Sequence, residues 1–208
     1  MKSITVISLA LTINERGYTP LFFARAADIV KKLTKLFFIF LLTFLIYCGI
    51  IITQRTKKGN KKMNTKLCFD MDGTIADLYG VENWLYYLEN EMTFPYEQAK
   101  PLVNLSALAR RLNTLQRNGY HLVIISWTSK SGGEDYHNAI TEAKLKWLAK
   151  HLPSVNWNEI HIIPYGTPKE MYCDSLFDVL FDDEAKNRTN WNGIAFDEKE
   201  MMGILKFF

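Results

Sequence analysis

Cysteine is scarce in this chain, with three among 208 residues: Cys48, Cys68 and Cys173. An odd count without close spacing builds neither a disulfide framework nor a thiolate zinc site, and it suits a reducing compartment. The four histidines, His121, His137, His151 and His161, are scattered without ligand spacing. No block of basic residues forms a nucleic-acid-binding face. The formal net charge is only +3, and the basic surplus flanks one hydrophobic run near the N-terminus. No nucleic-acid partner is expected. A glycine-rich phosphate cradle is missing too: Gly132-Gly133 has no helix-anchored glycine pattern around it and reads as a flexible loop. Internal repeats and low-complexity tracts are absent. With 48% hydrophobic and 23% charged residues, the composition is that of one globular domain with at most an appendage.

The appendage is residues 1–62. Within it, residues 36–53 (LFFIFLLTFLIYCGIIIT) carry no charge and, at roughly 18 residues, match a transmembrane helix. Lys31, Lys32 and Lys35 precede the run; Arg55, Lys57, Lys58, Lys61 and Lys62 follow it. The heavier basic flank places the downstream domain in the cytoplasm. A signal peptide fits less well, because the run starts far from Met1 and no small-residue cleavage pattern follows. A second reading makes residues 1–62 translated upstream sequence. Lys57-Lys58-Gly59 back-translates to a purine-rich stretch resembling a ribosome-binding site, just ahead of Met63. The expectation is a cytoplasmic protein, membrane-anchored only if 36–53 is a genuine anchor, with its folded domain at 63–208.

From Met63 onward the pattern alternates. Apolar runs predict strands over 66–69, 121–126, 159–163 and 175–181, with a short fifth at 194–196. Helical spacing appears over 81–91, 105–118 and 138–151, the last with Ala139, Ala143, Leu145 and Leu148 among its apolar positions. Phe94-Pro95 reads as a break after the first helix, and Gly119 as the stop of the second. Strands alternating with helices predict an α/β, Rossmann-like parallel sheet with helices on both faces. A small helical cap insert is expected at about 78–120.

Polar residues fall where such a sheet binds ligands, beyond the carboxyl ends of its strands. Asp70 and Asp72 follow the first strand, Ser126 ends the second, and Asp182 and Asp183 follow the fourth. Lys169 lies between the third and fourth. Each has an ordinary reading alone: an Asx-rich turn, a strand-ending serine, a helix-start lysine, a solvated acidic loop. Their convergence on one edge selects another. A carboxylate can attack phosphorus to form an aspartyl-phosphate, while a second manages protons. Gly73 allows a tight turn that brings backbone amides near phosphate. Ser126 can donate to a phosphate oxygen, and Lys169 can neutralise charge in the transition state. The adjacent carboxylates of Asp182 and Asp183, brought near Asp70, call for a hard divalent cation, and magnesium suits carboxylates together with phosphate oxygens.

FDMDGT, the apolar strand ending in Ser126, the isolated Lys169 and LFDD resemble, in order and spacing, the four motifs of the haloacid dehalogenase (HAD) superfamily, over about residues 66–196. The resemblance implies Asp70 as nucleophile and Asp72 as general acid/base. It implies Mg2+ held by the Asp70 side chain, the Asp72 backbone carbonyl and the Asp182 side chain, with Asp183 in support. Ser126, Gly73, Thr74 and Lys169 would hold the phosphoryl group. TEAKLKWLAKHLP, Lys169 and LFDDEAKN, with Asn187 closing the last, are most similar to the 5'(3')-deoxyribonucleotidases. Thr74 and the short insert depart from that subfamily. The substrate expected is a small phosphate ester, a (deoxy)nucleoside monophosphate, with Trp84, Tyr86 and Tyr87 offering rings for a base. The alternatives are a sugar phosphate, a nucleic-acid 3'-phosphate end, or a non-catalytic, membrane-tethered HAD-fold binding protein.

Overall fold

The computed structural model describes residues 65–208. The apolar run 36–53 lies outside the described residues. Among these, no helix is long and apolar enough to cross a membrane.

Five strands form one parallel sheet: β1 (Lys66–Phe69), β4 (His121–Trp127), β5 (Glu159–Ile163), β6 (Val179–Phe181) and β7 (Ile194–Phe196), in the order β5-β4-β1-β6-β7. The runs are apolar at successive positions because both faces are covered, and the period of two divides each strand between the faces. Leu67, Phe69, Leu122, Ile124, Val179 and Phe181 enter one core; Cys68, Val123, Ile125 and Leu180 enter another. The first core is completed by α3 (Leu105–Arg117), through Leu108, Leu112 and Leu115, and by α4 (Glu134–His151), through Trp147 and Leu148. Met201 of α6 (Met201–Ile204) joins them. The second core is thinner. Trp191, at the end of α5 (Ala185–Asn190), and Tyr172 and Cys173, from a 3-10 turn at Lys169–Tyr172, cover it. Truncating a fully buried Leu112 to alanine would cost about 2–5 kcal/mol.

Between β1 and α3 the chain makes a two-stranded antiparallel ribbon, β2 (Ala76–Asp77) with β3 (Lys100–Pro101), and between those strands α1 (Trp84–Glu89) and α2 (Phe94–Gln98). Neither short strand is foreseeable from two residues of pattern. Leu78 and Tyr96 of this region pack on Tyr136, Ile140 and Ala143 of α4.

Four expectations are corrected. Phe94-Pro95 opens a helix rather than only ending one: proline occupies the first turn of α2, where its missing N–H costs nothing. Helix α4 begins at Glu134, with Glu134 and Asp135 at its positive end and Lys150 and His151 at its negative end. Its buried face runs through Tyr136, Ile140, Ala143, Lys144, Trp147 and Leu148, while Ala139 and Leu145 are exposed. The apolar string 175–181 is strand only from Val179. The Asp178 carboxylate accepts from the N–H groups of Asp174 and Ser175, each at 2.9 Å, which turns the chain and leaves Leu176 and Phe177 in solvent.

Candidate active site

The sheet changes direction at β1: the chain moves outward through β4 and β5, then returns to lay β6 and β7 on the other side. That is the switch point where open α/β sheets bind ligands. The β1–β6 pairing continues one residue past the strand, through Asp70 N–H to Phe181 O at 2.9 Å, so Asp70 and Asp182 emerge side by side. Asp70, Asp182 and Asp183 offer carboxylate oxygens that all lie within 4.8 Å of one another.

After Asp70 the chain folds back sharply. Met71 O accepts from the N–H groups of Thr74, Ile75 and Ala76 at 3.2, 2.9 and 2.8 Å. Gly73 takes φ +77, and a Cβ there would collide with the Asp183 carboxylate and the Tyr79 ring. The position therefore demands glycine twice over. The Gly73 and Thr74 amides are both engaged inside this loop, with Ala76 O and Met71 O respectively. Thr74 Oγ1 accepts from Asp183 N–H at 3.2 Å, tying the β1 loop to the β6 loop.

Lys169 reaches the cluster from the 3-10 turn. Its Nζ lies 3.0 Å from Asp70 Oδ1 and 2.7 Å from Asp182 Oδ2, and 4.9 Å from the centre of the Trp127 ring. Only 1% of its surface is exposed. Burial opposes its charge, but Asp70 and Asp182 outweigh burial and raise its pKa. Asp182 also accepts from Glu184 N–H at 2.8 Å and from Asn187 Nδ2 at 3.1 and 3.2 Å. Arg188 Nη1 donates to the carbonyls of Asp182 (2.7 Å) and Asp183 (2.5 Å), fixing the backbone between them.

One cation among three carboxylates leaves the cluster electrostatically unsatisfied. Burial, then Asp70, push Asp182 up to about 6; burial, then Asp70 and Asp182, push Asp183 up to about 7. Asp183 Oδ1 is buried without a hydrogen-bond partner. An all-oxygen donor set with an orphaned carboxylate oxygen fits a hard divalent cation such as magnesium.

Asp72 points elsewhere, outside that cluster. Its Oδ2 accepts from Lys144 Nζ at 2.5 Å, and the same Nζ reaches Ser126 Oγ at 2.8 Å. Burial raises the Asp72 pKa, against the charge of Lys144. Asp70, Asp182, Asp183 and Lys169 thus assemble directly, and Asp72 and Ser126 join through Lys144, which sequence reasoning missed. A signal existed: Lys144 stands four residues after Ile140 and three before Trp147, on the buried stripe of α4.

The aromatic residues sort differently from expectation. Helix α1 buries no residue, and Tyr86 is 57% exposed. The ring beside Gly73 is that of Tyr79, which Trp84 meets edge-on at 5.1 Å.

No family model matches the chain, and no curated protein matches it in sequence. Among solved structures, it is similar to the D,D-heptose 1,7-bisphosphate phosphatase of Burkholderia thailandensis, with 11% identity, a TM-score of 0.38, and coverage of 60% of this chain and 70% of that one. It is also similar to the D,D-heptose 1,7-bisphosphate phosphatase of B. bronchiseptica complexed with magnesium and phosphate, with 15% identity, a TM-score of 0.38, and coverage of 63% and 78%. At these values neither likeness carries an activity or a substrate over to this chain.

Proposed function

We propose that this chain is a magnesium-dependent phosphomonoesterase of the HAD type, acting through an aspartyl-phosphate on Asp70. The observation that carries this reading is the cluster of Asp70, Asp182 and Asp183 closing on Lys169 at the switch point of a parallel sheet. A purely structural or binding domain gains nothing from buried carboxylates that repel one another.

The steps follow from the residues. A carboxylate oxygen of Asp70 attacks phosphorus, and the ester P–O bond breaks. The departing oxygen takes a proton from the carboxyl of Asp72. Water then gives a proton to the Asp72 carboxylate and attacks the phosphorus. The P–O bond to Asp70 breaks, releasing inorganic phosphate and restoring the Asp70 carboxylate. Lys169 offsets negative charge beside Asp70, and Ser126 donates to a phosphoryl oxygen. Asp70, Asp182 and Asp183 would hold magnesium, with the Asp72 carbonyl; the ion would supply the positive charge the cluster lacks.

For the substrate, we favour nucleoside monophosphates. Support comes from the sequence resemblance over 141–187 and from the Tyr79–Trp84 pair beside the catalytic loop, where a base could stack for about 1–3 kcal/mol. Phosphate release by the protein with magnesium, from dTMP, dUMP, sugar phosphates and a 3'-phosphorylated oligonucleotide, tests it. The nucleotides should lead by roughly tenfold in kcat/KM. Equal turnover of sugar phosphates removes the nucleotidase reading, and no turnover of any ester removes the phosphatase reading.

A further inference from the structure

Lysine is the residue a protein core accepts least readily, yet Lys144 is 1% exposed in the middle of α4. An ammonium group has three donors and no acceptor. All three are accounted for: Asp72 Oδ2 at 2.5 Å, Ser126 Oγ at 2.8 Å and the Trp127 carbonyl at 2.6 Å. The Tyr96 ring lies against it, 5.2 Å from Nζ to the ring centre. A saturated ammonium cannot also bind phosphate. It can fix the groups that do the chemistry.

Building on the phosphatase reading, we propose that Lys144 is a positioning residue that sets the Asp72 carboxyl and the Ser126 hydroxyl for phosphoryl transfer. Two consequences follow from donor and acceptor counting. Lys144 occupies Asp72 Oδ2, so Oδ1 is the oxygen left to exchange a proton with the departing group. Lys144 also donates to Ser126 Oγ, which makes that oxygen an acceptor; the one hydroxyl proton of Ser126 is then free to turn toward a phosphoryl oxygen. Helix α4 delivers one nitrogen to Asp72, just past β1, and to Ser126 and Trp127, the last two residues of the neighbouring β4, and ties the two strand ends together. Its partner is the general acid/base and not the nucleophile, and that separates its role from that of Lys169.

The leaving group tests this. Departure of an alkoxide from β-glycerophosphate needs a proton; departure of the phenolate from 2,4-dinitrophenyl phosphate does not. In the full chain with magnesium, Lys144→Met should lower kcat/KM for β-glycerophosphate by about 10²–10³-fold, the usual worth of general acid catalysis. For 2,4-dinitrophenyl phosphate the loss should stay under about tenfold, and inhibition by inorganic phosphate should barely weaken. Equal losses on both esters, or none, overturn the assignment. So does a large rise in the inhibition constant for phosphate, which would make Lys144 a phosphate ligand. If Lys144→Met does not fold by circular dichroism, Lys144→Arg carries the same test: guanidinium cannot aim three donors from one nitrogen, so the same split between esters should appear at smaller amplitude. Absence of turnover of either ester by the unaltered protein strikes the phosphatase reading itself, before any variant is made.

Discussion

The two edges of the central sheet treat acidic residues in opposite ways. At the amino edge, where β1, β4 and β5 begin, Glu159 is met by His121 at 3.0 Å, His161 at 2.8 Å and Lys66 at 3.6 Å, while Lys66 also holds Asp174 at 2.7 Å. The hydrogen bond from His161 leads in lowering the Glu159 pKa. Asp178, fully buried just before β6, has no ion-pair partner among the described residues but accepts the backbone N–H groups of Lys66, Asp174 and Ser175, each at 2.9 Å. At the carboxyl edge Asp182 and Asp183 are raised to about 6 and about 7. One edge spends its polar groups on holding strands together. The other keeps carboxylates short of partners, a strained state that suits a site awaiting a cation and an anionic substrate.

Breaking the carboxyl edge should have the largest effect. Asp70→Asn should lower phosphate release by on the order of 10⁴-fold or more, because the amide is no nucleophile. Its melting temperature should hold or rise, since one of three mutually repelling carboxylates loses its charge. Turnover near that of the unaltered protein would contradict the assignment.

Metal-free protein should expose the strain through pH. Asp182 and Asp183 have folded-state pKa values above the ordinary 3.8, so the folded chain holds protons that the unfolded chain releases. Their contribution therefore declines as pH rises from about 4 to about 7 and stays lost above that. The melting temperature without metal should fall across this window, and magnesium should restore more at pH 8 than at pH 5. A magnesium effect independent of pH would count against these two residues as its site.

Smaller effects belong to the amino edge. Asp178→Ala strands three backbone donors and should cost about 3 kcal/mol in denaturant unfolding, while kcat per folded molecule is unchanged. Glu159→Gln weakens half-exposed ion pairs and should cost no more than about 1 kcal/mol. The Glu159 pKa is lowered, so its contribution is present above the usual carboxylate range and fades as pH falls through the folded value. The difference between the Gln variant and the parent should then narrow on acidification. Loss of activity in either variant would blur the division between the edges.

Much of this was legible because the parallel sheet writes itself as apolar runs with the reactive residues at their ends. Asp70, Ser126 and Asp182 could be placed from that rule alone. Lys144 could not, because lysines on a helix usually face water, and of the three in α4 (Lys144, Lys146 and Lys150) only the spacing of Lys144 from Ile140 and Trp147 sets it on the buried stripe.

 

The string 175–181 misled for the opposite reason. Its apolar letters read as strand throughout, but one carboxylate at Asp178 captures two preceding amides and bends the first half away. Gly73 was legible as a turn; that its N–H is engaged with Ala76 O was not, since a hydrogen bond within a loop leaves no periodic trace.

The position of β1 has a kinetic consequence. Its residues pair with β4 on one side and with β6 on the other, and the bond from Lys66 N–H to Asp178 closes a separation of 112 residues. Contacts of such span form late, because the entropy of closing the loop must be met before any pairing rewards it. During synthesis the strand that carries Asp70 leaves the ribosome early and waits, one side unpaired, until β6 is made. The carboxylates of Asp70 and Asp182 can therefore meet only once β6 is made and paired with β1, and the candidate site stays incomplete until then.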